Sequence, residues 1–333
     1  MKRCLVTGAA GFIGSHVVRC LLDDGHRVRA LHLPREDLTN LEGLPVERFP
    51  GDVTDESRMA EAMREIDWVF HLAAIYALWL PEPARMFRVN VDGTRVVLAA
   101  AERAGALRVV HTSSIARFGG QGLDHAATES SPFALGVEPY ARSKAEAHAI
   151  AEDFARRGLD VVIVAPTGPI GPGDVGPTPT GRLLLTSATL PVAVVTKSSS
   201  CFGDVRDMAR AHVLAAERGR TGESYLLGAR DASLRELAHL AHAALGLRRP
   251  VIEVPISVAR LGARAALAWT ERVSRRAPLV TPAAVEVSRL GLRASCDKAR
   301  RELGAPIRPL EESVRDALRW WSERGRLPRR LVA

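Results

Sequence analysis

Apolar runs of strand length alternate with amphipathic runs of helix length through the first half of the chain. The first strand-like run, RCLVT, precedes a helical pattern from about residue 11 to 24. The later strand-like runs are RVRALHL, VERFPGD, WVFHLAA, LRVVHTSS and DVVIVAP, and the helical ones are ESRMAEAMREI, a segment ending near 104 and one at about 140–157. Nearly continuous apolar strands separated by helices are typical of a parallel sheet covered on both faces. The sequence predicts an α/β protein with a doubly wound parallel sheet.

Three glycines, Gly8, Gly11 and Gly14, stand at spacings of three where the first strand should turn into the first helix. At such a turn, bare backbone N–H groups and a helix amino terminus can hold a pyrophosphate, which a side chain would keep away. Tight turns and close helix packing also use glycine. Because the triplet follows a strand that starts at the second or third residue, we predict a dinucleotide site.

Tyr140 and Lys144 are four residues apart in the predicted helix EPYARSKAEAH. This spacing puts the phenol and the ammonium on one helix face, where the cation favours the phenolate. Lowering a phenol pKa from about 10 to about 7 takes roughly 4 kcal/mol, which one close ammonium and an oxidised nicotinamide can supply. The run Thr112, Ser113 and Ser114 ends a strand, so a hydroxyl there can bind a carbonyl oxygen beside the phenol. Tyr140 is therefore an acid/base candidate.

Together these motifs resemble the short-chain dehydrogenase/reductase superfamily, in its extended branch of epimerases, dehydratases and reductases. TGxxGxxG occupies residues 7–14 and YxxxK residues 140–144. The resemblance continues through HLAA (71–74), NVDGTRVVLAA around Asn90, GPGD (171–174), FGDVRDMARAHVLAAE and CDKARRELG, and so covers nearly the whole chain. It implies a Rossmann-like fold and a catalytic set of Ser114, Tyr140 and Lys144.

The resemblance also implies where a nicotinamide dinucleotide binds. Asp52 in PGDVTD meets the adenine in this family, and the HLAA segment lines the cofactor. Together with the ribose contacts considered below, the predicted cofactor-binding residues are Thr7, Gly8, Gly11, Phe12, Ile13, Gly14, His32, Arg35, Asp52, Val53, Leu72, Ala73, Ala74, Tyr140, Lys144, Pro166 and Thr167.

The chain of 333 residues is long enough for one large domain and a smaller partner. After Pro166 the strand–helix rhythm breaks into PTGPIGPGDVGPTPTG, and the later segments are mostly helical. We predict an NAD(P)-binding Rossmann domain over 1–165, to which about 200–230 return. Residues 166–199 and 231–333 are predicted to form a substrate-binding lobe over the carboxyl edge of the sheet.

Within this branch, the segments NLEGLPVERFPGD, YALWLPEP and GPTPTGR resemble hopanoid-associated sugar epimerases, a group similar to dihydroflavonol 4-reductases.

Two departures from the family pattern bear on the reaction and the cofactor. Nucleotide-sugar epimerases of this branch have R-x-x-N after the sixth strand, where this chain has Ala165 and Gly168. Pro166 and Thr167 instead resemble the reductases, which bind a less polar ketone or aldehyde.

The second departure concerns the end of the second strand. Relatives that prefer NAD carry an acidic residue there that binds the ribose diol, whereas this chain has His32 and Leu33, followed by Arg35. This favours NADP(H), with NAD(H) as the alternative if Glu36 or Asp37 reaches the diol.

Charge and cysteine content narrow the remaining function classes. The net charge of +8 suits a phosphate-bearing ligand, an anionic membrane surface or nucleic acid, or else a solvated basic surface. No aromatic-interleaved basic cluster indicates nucleic acid in particular. The four scattered cysteines indicate neither disulfides nor a metal site, and we expect free thiols in a cytoplasmic protein. MKRCLVTGAAGFIG is too glycine-rich for a signal peptide, and no uncharged run is long enough to span a membrane.

The later helical segment, PISVARLGARAALAWTERVSRRAPLVTPAAVEVSRLGL, is apolar with arginines spaced along it. We expect its apolar side chains to form core and to close an apolar pocket over the nicotinamide, with the arginines in solvent. The alternative is a basic face that rests on a membrane surface. Trp79 and Leu80, after the fourth strand, should overhang the substrate, with ordinary packing of the lobe as the alternative.

These observations predict an NADP(H)-preferring oxidoreductase that reduces a small carbonyl compound to an alcohol. Ser114 would orient the carbonyl, Tyr140 would protonate the oxygen, and Lys144 would lower the phenol pKa and hold the ribose. The alternatives are a nucleotide-sugar epimerase or dehydratase with bound NAD, and a cofactor-sensing or scaffold protein without turnover. A homodimer is expected from the family resemblance.

Overall fold

The computed structural model describes residues 1–136, 138–274, 278 and 280–327. The parts of the predicted lobe at 275–277, 279 and 328–333 lie outside the described residues. The strands are β1 (Arg3–Thr7), β2 (Arg27–His32), β3 (Glu47–Pro50), β4 (Trp68–His71), β5 (Arg108–Thr112), β6 (Val161–Pro166), β7 (Gly168–Ile170), β8 (Ala193–Thr196), β9 (Ser199–Asp204), β10 (Ser224–Leu227), β11 (Arg230–Ser233) and β12 (Val251–Val254).

The α-helices are α1 (Phe12–Asp23), α2 (Glu56–Ala62), α3 (Pro83–Phe87), α4 (Gly93–Ala104), α5 (Pro139–Arg156), α6 (Pro179–Thr189), α7 (Val205–Arg218), α8 (Leu234–Ala244), α9 (Ile256–Trp269), α10 (Pro282–Leu290), α11 (Asp297–Leu303) and α12 (Leu310–Glu323). Short 3₁₀ turns lie at Thr39–Leu41 and Ile115–Arg117, and π-helical turns at Arg88–Asp92 and Thr270–Ser274.

Seven of the described strands form one parallel sheet in the order β3-β2-β1-β4-β5-β6-β10. The strand order reverses between β1 and β4, and Thr7 at the end of β1 lies between Leu31 of β2 and His71 of β4. In an open α/β sheet, ligands bind in the crevice at the carboxyl ends of the strands where the order reverses. The predicted doubly wound, Rossmann-like sheet is confirmed, and it opens this crevice beside the glycine loop.

Two apolar layers cover the sheet, because successive side chains of each strand point to opposite faces. Cys4 and Val6 of β1 pack into the layer that includes residues of α1, α7 and α11. Leu5, between them, packs into the layer that includes residues of α2, α4 and α5. The nearly continuous apolar strands of the sequence thus reflect burial on both faces.

The later half of the chain is less helical than the sequence suggested. Strands β7, β9 and β11 form a second sheet, and β8 pairs with β12. A separate core that includes Leu184, Leu237, Leu318 and Trp321 joins helices α6, α8 and α12. These strands are short, three to six residues each, so their pattern in the sequence is weak.

The predicted division into domains stays a prediction, but the structure shows which sheet each element of residues 199–230 joins. Helix α7 and strand β10 pack with the seven-stranded sheet, as does α11, which contacts both. Strand β9 instead pairs with β7 and β11 in the second sheet.

Two local expectations are wrong. Helix α2 ends at Ala62 rather than near residue 66, and the chain then turns with Glu65 in a left-handed conformation, φ 60°. Helix α9 does not bury its apolar stripe: Leu261 is 72% and Trp269 62% exposed.

Candidate active site

The three glycines of the first loop have different structural reasons. Gly8 has φ +67°, and a Cβ there would lie 2.9 Å from the backbone of Ala73. A Cβ on Gly14 would lie 2.1 Å from the carbonyl oxygen of Gly8. These two positions are therefore required by the packing of the loop on its own protein.

Gly11 is different, because it precedes α1 with φ −67° and its Cβ would make one tight contact, 3.1 Å from the Gly8 oxygen. No side chain among the described residues caps this helix amino terminus. Its free N–H groups and the positive end of the helix dipole point to an anion. The loop thus fits a pyrophosphate, with Gly11 as the glycine that keeps its path open. Phe12 and Ile13, in the first turn of α1, are half-buried.

Thr7 and His71 tie the ends of β1 and β4 together. The backbone N–H of Ala73 donates to Thr7 Oγ1 at 3.2 Å, and Thr7 Oγ1 lies 2.8 Å from His71 Nδ1. His71 Nε2 lies 3.1 Å from Thr94 Oγ1, which donates to the Asn90 carbonyl at 2.6 Å. Burial lowers the pKa of His71 to about 3, with the Lys144 charge as a second cause. His71 is thus a neutral structural residue, and the Thr7 side chain faces the protein.

The two serines that follow β5, Ser113 and Ser114, have different partners. Ser113 Oγ lies 2.9 Å from His148 Nδ1. Ser114, the next residue, acts to lower the pKa of the Tyr140 hydroxyl, and its Oγ accepts a hydrogen bond from the Ala116 N–H at 3.2 Å. The structure therefore places Ser114, rather than Ser113, beside the phenol.

Tyr140 is a protonated phenol at neutral pH. Burial raises its pKa to about 12, the hydrogen bond with Ser114 acts in the opposite direction, and Glu138 raises it further. Glu138 caps α5 by accepting the N–H groups of Tyr140 and Ala141, at 3.0 and 2.6 Å. The cap fixes the start of the helix that carries the phenol. The expectation that Lys144 lowers the phenol pKa is therefore not met, because burial dominates. In this protonated state Tyr140 is in the form that donates a proton.

Lys144 is buried one turn further along α5, on the same face as Tyr140. Its ammonium donates to the carbonyl oxygen of Thr112 at 2.5 Å. Burial lowers the pKa of Lys144 to about 8. The Thr112 hydroxyl lies 3.2 Å from His212 Nε2, and His212 Nδ1 lies 2.7 Å from the Met208 carbonyl, so the carboxyl end of β5 is fixed on both sides.

Asn90 is a site residue to which the sequence gave no role. Its amide oxygen accepts the Ile75 N–H at 2.7 Å, and its amide nitrogen donates to the Ile75 carbonyl at 3.1 Å and to Ser143 Oγ at 2.9 Å. Ser143 in turn donates to the Tyr140 carbonyl at 2.8 Å. Asn90 thus joins the loop after β4 to α5, the helix that carries Tyr140. In the sequence Asn90 merely stands between two valines, and its burial and partners show only in the structure.

Tyr76 is the second residue that the sequence did not single out. Its ring centroid lies 4.8 Å from that of Tyr140, within aromatic contact. Trp79 and Leu80, further along the same loop, are half-buried.

The predicted ribose-binding segment presents one unpaired cation. Glu36 accepts the Leu33 N–H at 2.9 Å, and Asp37 accepts the Thr39 N–H at 2.9 Å, so both carboxylates are tied to the backbone. Arg35 is exposed and, within the described part of the chain, has no carboxylate partner. His32 is buried with Nδ1 donating to the Leu33 carbonyl at 2.9 Å.

The remaining predicted cofactor residues line the carboxyl ends of neighbouring strands. Asp52 accepts the N–H and the hydroxyl of Thr54, at 2.9 and 2.8 Å, and Val53 is buried. Leu72 and Ala73 are half-buried and Ala74 is exposed, directly after β4. Pro166 ends β6, and the buried Thr167 hydroxyl has no partner among the described residues. Such an unpaired buried hydroxyl fits a polar group of a bound ligand.

Comparisons with known proteins agree with this architecture. The model of the NAD dependent epimerase/dehydratase family matches residues 4–228. The protein named "Putative dihydroflavonol 4-reductase" of Synechocystis sp. is 37% identical over 331 residues, covering 96% of this chain and 94% of that protein. Sterol demethylase protein B of Methylococcus capsulatus is 34% identical over 327 residues, covering 96% and 98%.

Among solved structures, the crystal structure of gox2253 superimposes with a TM-score of 0.86 at 35% identity and covers 98% of this chain and 100% of that one. The family match spans more than half of the chain and includes the glycine loop, the serine, the tyrosine and the lysine. The resemblance found in the sequence is confirmed, and the chain belongs to the NAD dependent epimerase/dehydratase family, the extended branch of the short-chain dehydrogenases/reductases.

Proposed function

We propose that this protein is an NADPH-dependent reductase that converts a ketone or aldehyde to an alcohol. The observation that carries the proposal is the protonated Tyr140 hydroxyl, beside Ser114, on the same helix face as the buried Lys144. Reduction of a carbonyl needs a proton donor at the oxygen, and the Tyr140 phenol is protonated at neutral pH.

Each residue has one task in this reaction. A nicotinamide dinucleotide held at the glycine loop would supply the hydride for the carbonyl carbon. The Ser114 hydroxyl donates a hydrogen bond to the carbonyl oxygen and orients it toward the phenol. Tyr140 transfers its proton to that oxygen, and the C=O bond becomes C–OH while the phenol becomes a phenolate. The Lys144 ammonium stabilises the phenolate, which then takes a proton back from solvent.

The cofactor preference rests on the segment after β2. The Glu36 carboxylate is held by the Leu33 N–H, whereas the Arg35 guanidinium is unpaired among the described residues. A ribose 2′-phosphate needs a cation and an uncharged strand end, and both are present. This supports NADPH over NADH.

The positions that hold the R-x-x-N pair in nucleotide-sugar epimerases support a reductase. Ala165 is fully buried in β6, so an arginine in its place would bury a charge. A Cβ on Gly168 would lie 2.4 Å from the buried ring of Phe202, so an asparagine there requires the ring to move. The surroundings of Ala165 and Gly168 thus fit small residues and have no room for the arginine and asparagine of the epimerases.

The test is NADPH oxidation with a panel of ketones and aldehydes, comparing wild type with Tyr140→Phe. We expect kcat to fall at least about 100-fold with an unchanged Kd for NADPH, because only the proton donor is lost. Tyr76→Phe is the matched control, since it removes a hydroxyl from the adjacent ring, and it should retain most of the activity. Turnover by Tyr140→Phe within a few-fold of wild type would remove this residue from the mechanism. Purification with tightly bound NAD would instead favour the epimerase alternative.

A further inference from the structure

Helix α9 and the π-helical turn that follows it carry apolar side chains on the outside of the molecule. Val258 is 55%, Leu261 72%, Trp269 62% and Val273 57% exposed. In the described part of this segment only Ala263 and Thr270 are buried. A single exposed apolar residue is ordinary on a protein surface, but a run of them on one helix is not.

The exposed residues form a stripe along the helix. Val258, Leu261, Ala265 and Trp269 are spaced by three, four and four residues, which places them on one face. Ala263 is buried and lies on the opposite side of the helix, and α9 also packs against α10. The helix is thus apolar toward the protein and apolar again toward the outside.

Arginines border this stripe. Arg260 pairs with Glu286 of α10 at 2.8 Å, but Arg264 and Arg272 have no carboxylate partner among the described residues. Glu271 is the only acidic residue in the sequence from 256 to 276, whereas Arg275 and Arg276 add two further arginines at its end. The exposed face therefore combines apolar side chains with uncompensated positive charge.

We propose that α9, through the stripe Val258, Leu261, Ala265 and Trp269, docks this protein on the surface of an anionic lipid bilayer. Apolar side chains enter the boundary between headgroups and acyl chains, and the arginines beside them contact the lipid phosphates. No helix among the described residues is long and apolar enough to cross a bilayer, so the contact would be peripheral.

A second copy of the chain suits this face less well. The 14-residue helix is about 21 Å long, so one stripe buries far less than the roughly 800 Å² per partner of a stable interface. Pairing two such stripes would also bring the unpaired arginines of both copies together. A bilayer needs no complementary protein surface, and its phosphates match the charge.

Helix α10 lies between α9 and the apolar residues next to Tyr140. Helix α10 packs on α9, and its residues Val287 and Leu290 pack against the same small apolar cluster as Tyr140. A bilayer on the outer side of α9 would therefore lie one helix away from the wall of the site. An apolar carbonyl compound dissolved in the membrane could reach the site from this side.

The experiment is sedimentation of the full chain with vesicles of phosphatidylcholine, alone or with roughly 30% phosphatidylglycerol. Wild type should bind the anionic vesicles, and the double variant Leu261→Ser/Trp269→Ser should lose at least about tenfold in apparent affinity. The matched control is Leu107→Ser/Leu190→Ser, which removes two exposed leucines elsewhere and should bind as wild type does.

A second pair of variants tests the charge. Arg264→Gln/Arg272→Gln should lower binding to the anionic vesicles at least about fivefold, whereas Arg103→Gln/Arg301→Gln, two exposed arginines outside α9, should lower it by less than about twofold. Equal loss in both pairs would mean that net charge alone drives binding, which overturns the assignment to α9.

Two further outcomes would also overturn the proposal. One is wild type that remains in the supernatant with both vesicle types. The other is a concentration-dependent dimer that Leu261→Ser/Trp269→Ser dissociates, since that would make a second copy the occupant. Both are independent of the reductase proposal, because vesicle binding is measured without substrate or cofactor.

Discussion

Replacing Arg35 with alanine should change the cofactor preference of this protein. Arg35 is the exposed, unpaired cation after β2, and its neighbours Glu36 and Asp37 are held by backbone N–H groups. Truncation should therefore remove a positive charge without breaking an ion pair in the described protein. The folded state should be unaffected, so the effect appears in binding.

The size of the effect follows from Coulomb's law. Two unit charges about 4 Å apart interact by about 1 kcal/mol in bulk water and about 4 kcal/mol near a protein surface. Because Arg35 is exposed, we expect about 1–3 kcal/mol for the 2′-phosphate, which is roughly a 5- to 150-fold loss in NADPH affinity. NADH has no 2′-phosphate, so its Kd should change by less than about twofold.

The assay is fluorescence titration of wild type and Arg35→Ala with both nucleotides. Arg301→Ala is the matched control: it removes an exposed arginine from α11, which packs at β10, the opposite edge of the sheet from β2 and β3. The control should leave the ratio of the two Kd values unchanged. Wild type that prefers NADH, or Arg35→Ala that weakens both nucleotides equally, would refute the assignment and place the ribose against Glu36, Asp37 or backbone.

Three other predictions concern the glycine loop, the lysine and a buried carboxyl. Gly11→Val should abolish NADPH binding while the protein remains folded by circular dichroism. Gly14→Ala should instead lower thermal stability, because its Cβ would lie 2.1 Å from a backbone oxygen. Normal NADPH affinity in folded Gly11→Val would contradict the phosphate site. Lys144→Met should reduce kcat at least about 100-fold and weaken NADPH binding, measured by steady-state kinetics and titration; unchanged affinity would leave Lys144 with the phenol alone. Burial raises the pKa of Asp174 from 3.8 to about 6, so the folded state holds its proton more tightly and the stabilisation present below pH 4 is lost as pH rises through 6. Urea unfolding of wild type and Asp174→Asn should show the difference between their stabilities changing by about 3 kcal/mol over this window, and a pH-independent difference would contradict this.

The sequence by itself determined a doubly wound parallel sheet, with runs for six of its seven strands, and the motifs of the site. Strand and helix periods, the spacing of Gly8, Gly11 and Gly14, and the four-residue step from Tyr140 to Lys144 all act between near neighbours in the chain. Such patterns predict structure because the backbone period alone sets which side chains share a face. They gave the family, the dinucleotide loop and the lysine on the face of the phenol.

Tertiary structure alone decided what each of these residues contacts. Gly8 is needed because the backbone of Ala73, far along the chain, passes 2.9 Å from the position of its absent Cβ. Ser114 meets Tyr140 while Ser113 turns to His148, because adjacent residues point to opposite sides. Contacts of this kind join segments tens of residues apart, and no local period encodes them.

The same reason explains the error on α9. Its apolar spacing predicted burial, but a helix can bury only the face that a neighbouring element covers, and α10 covers one side. Leu261 and Trp269 lie on the other. Hydrophobic periodicity therefore predicted that this segment is a helix. Only the packing of the lobe decided which of its two apolar faces is exposed.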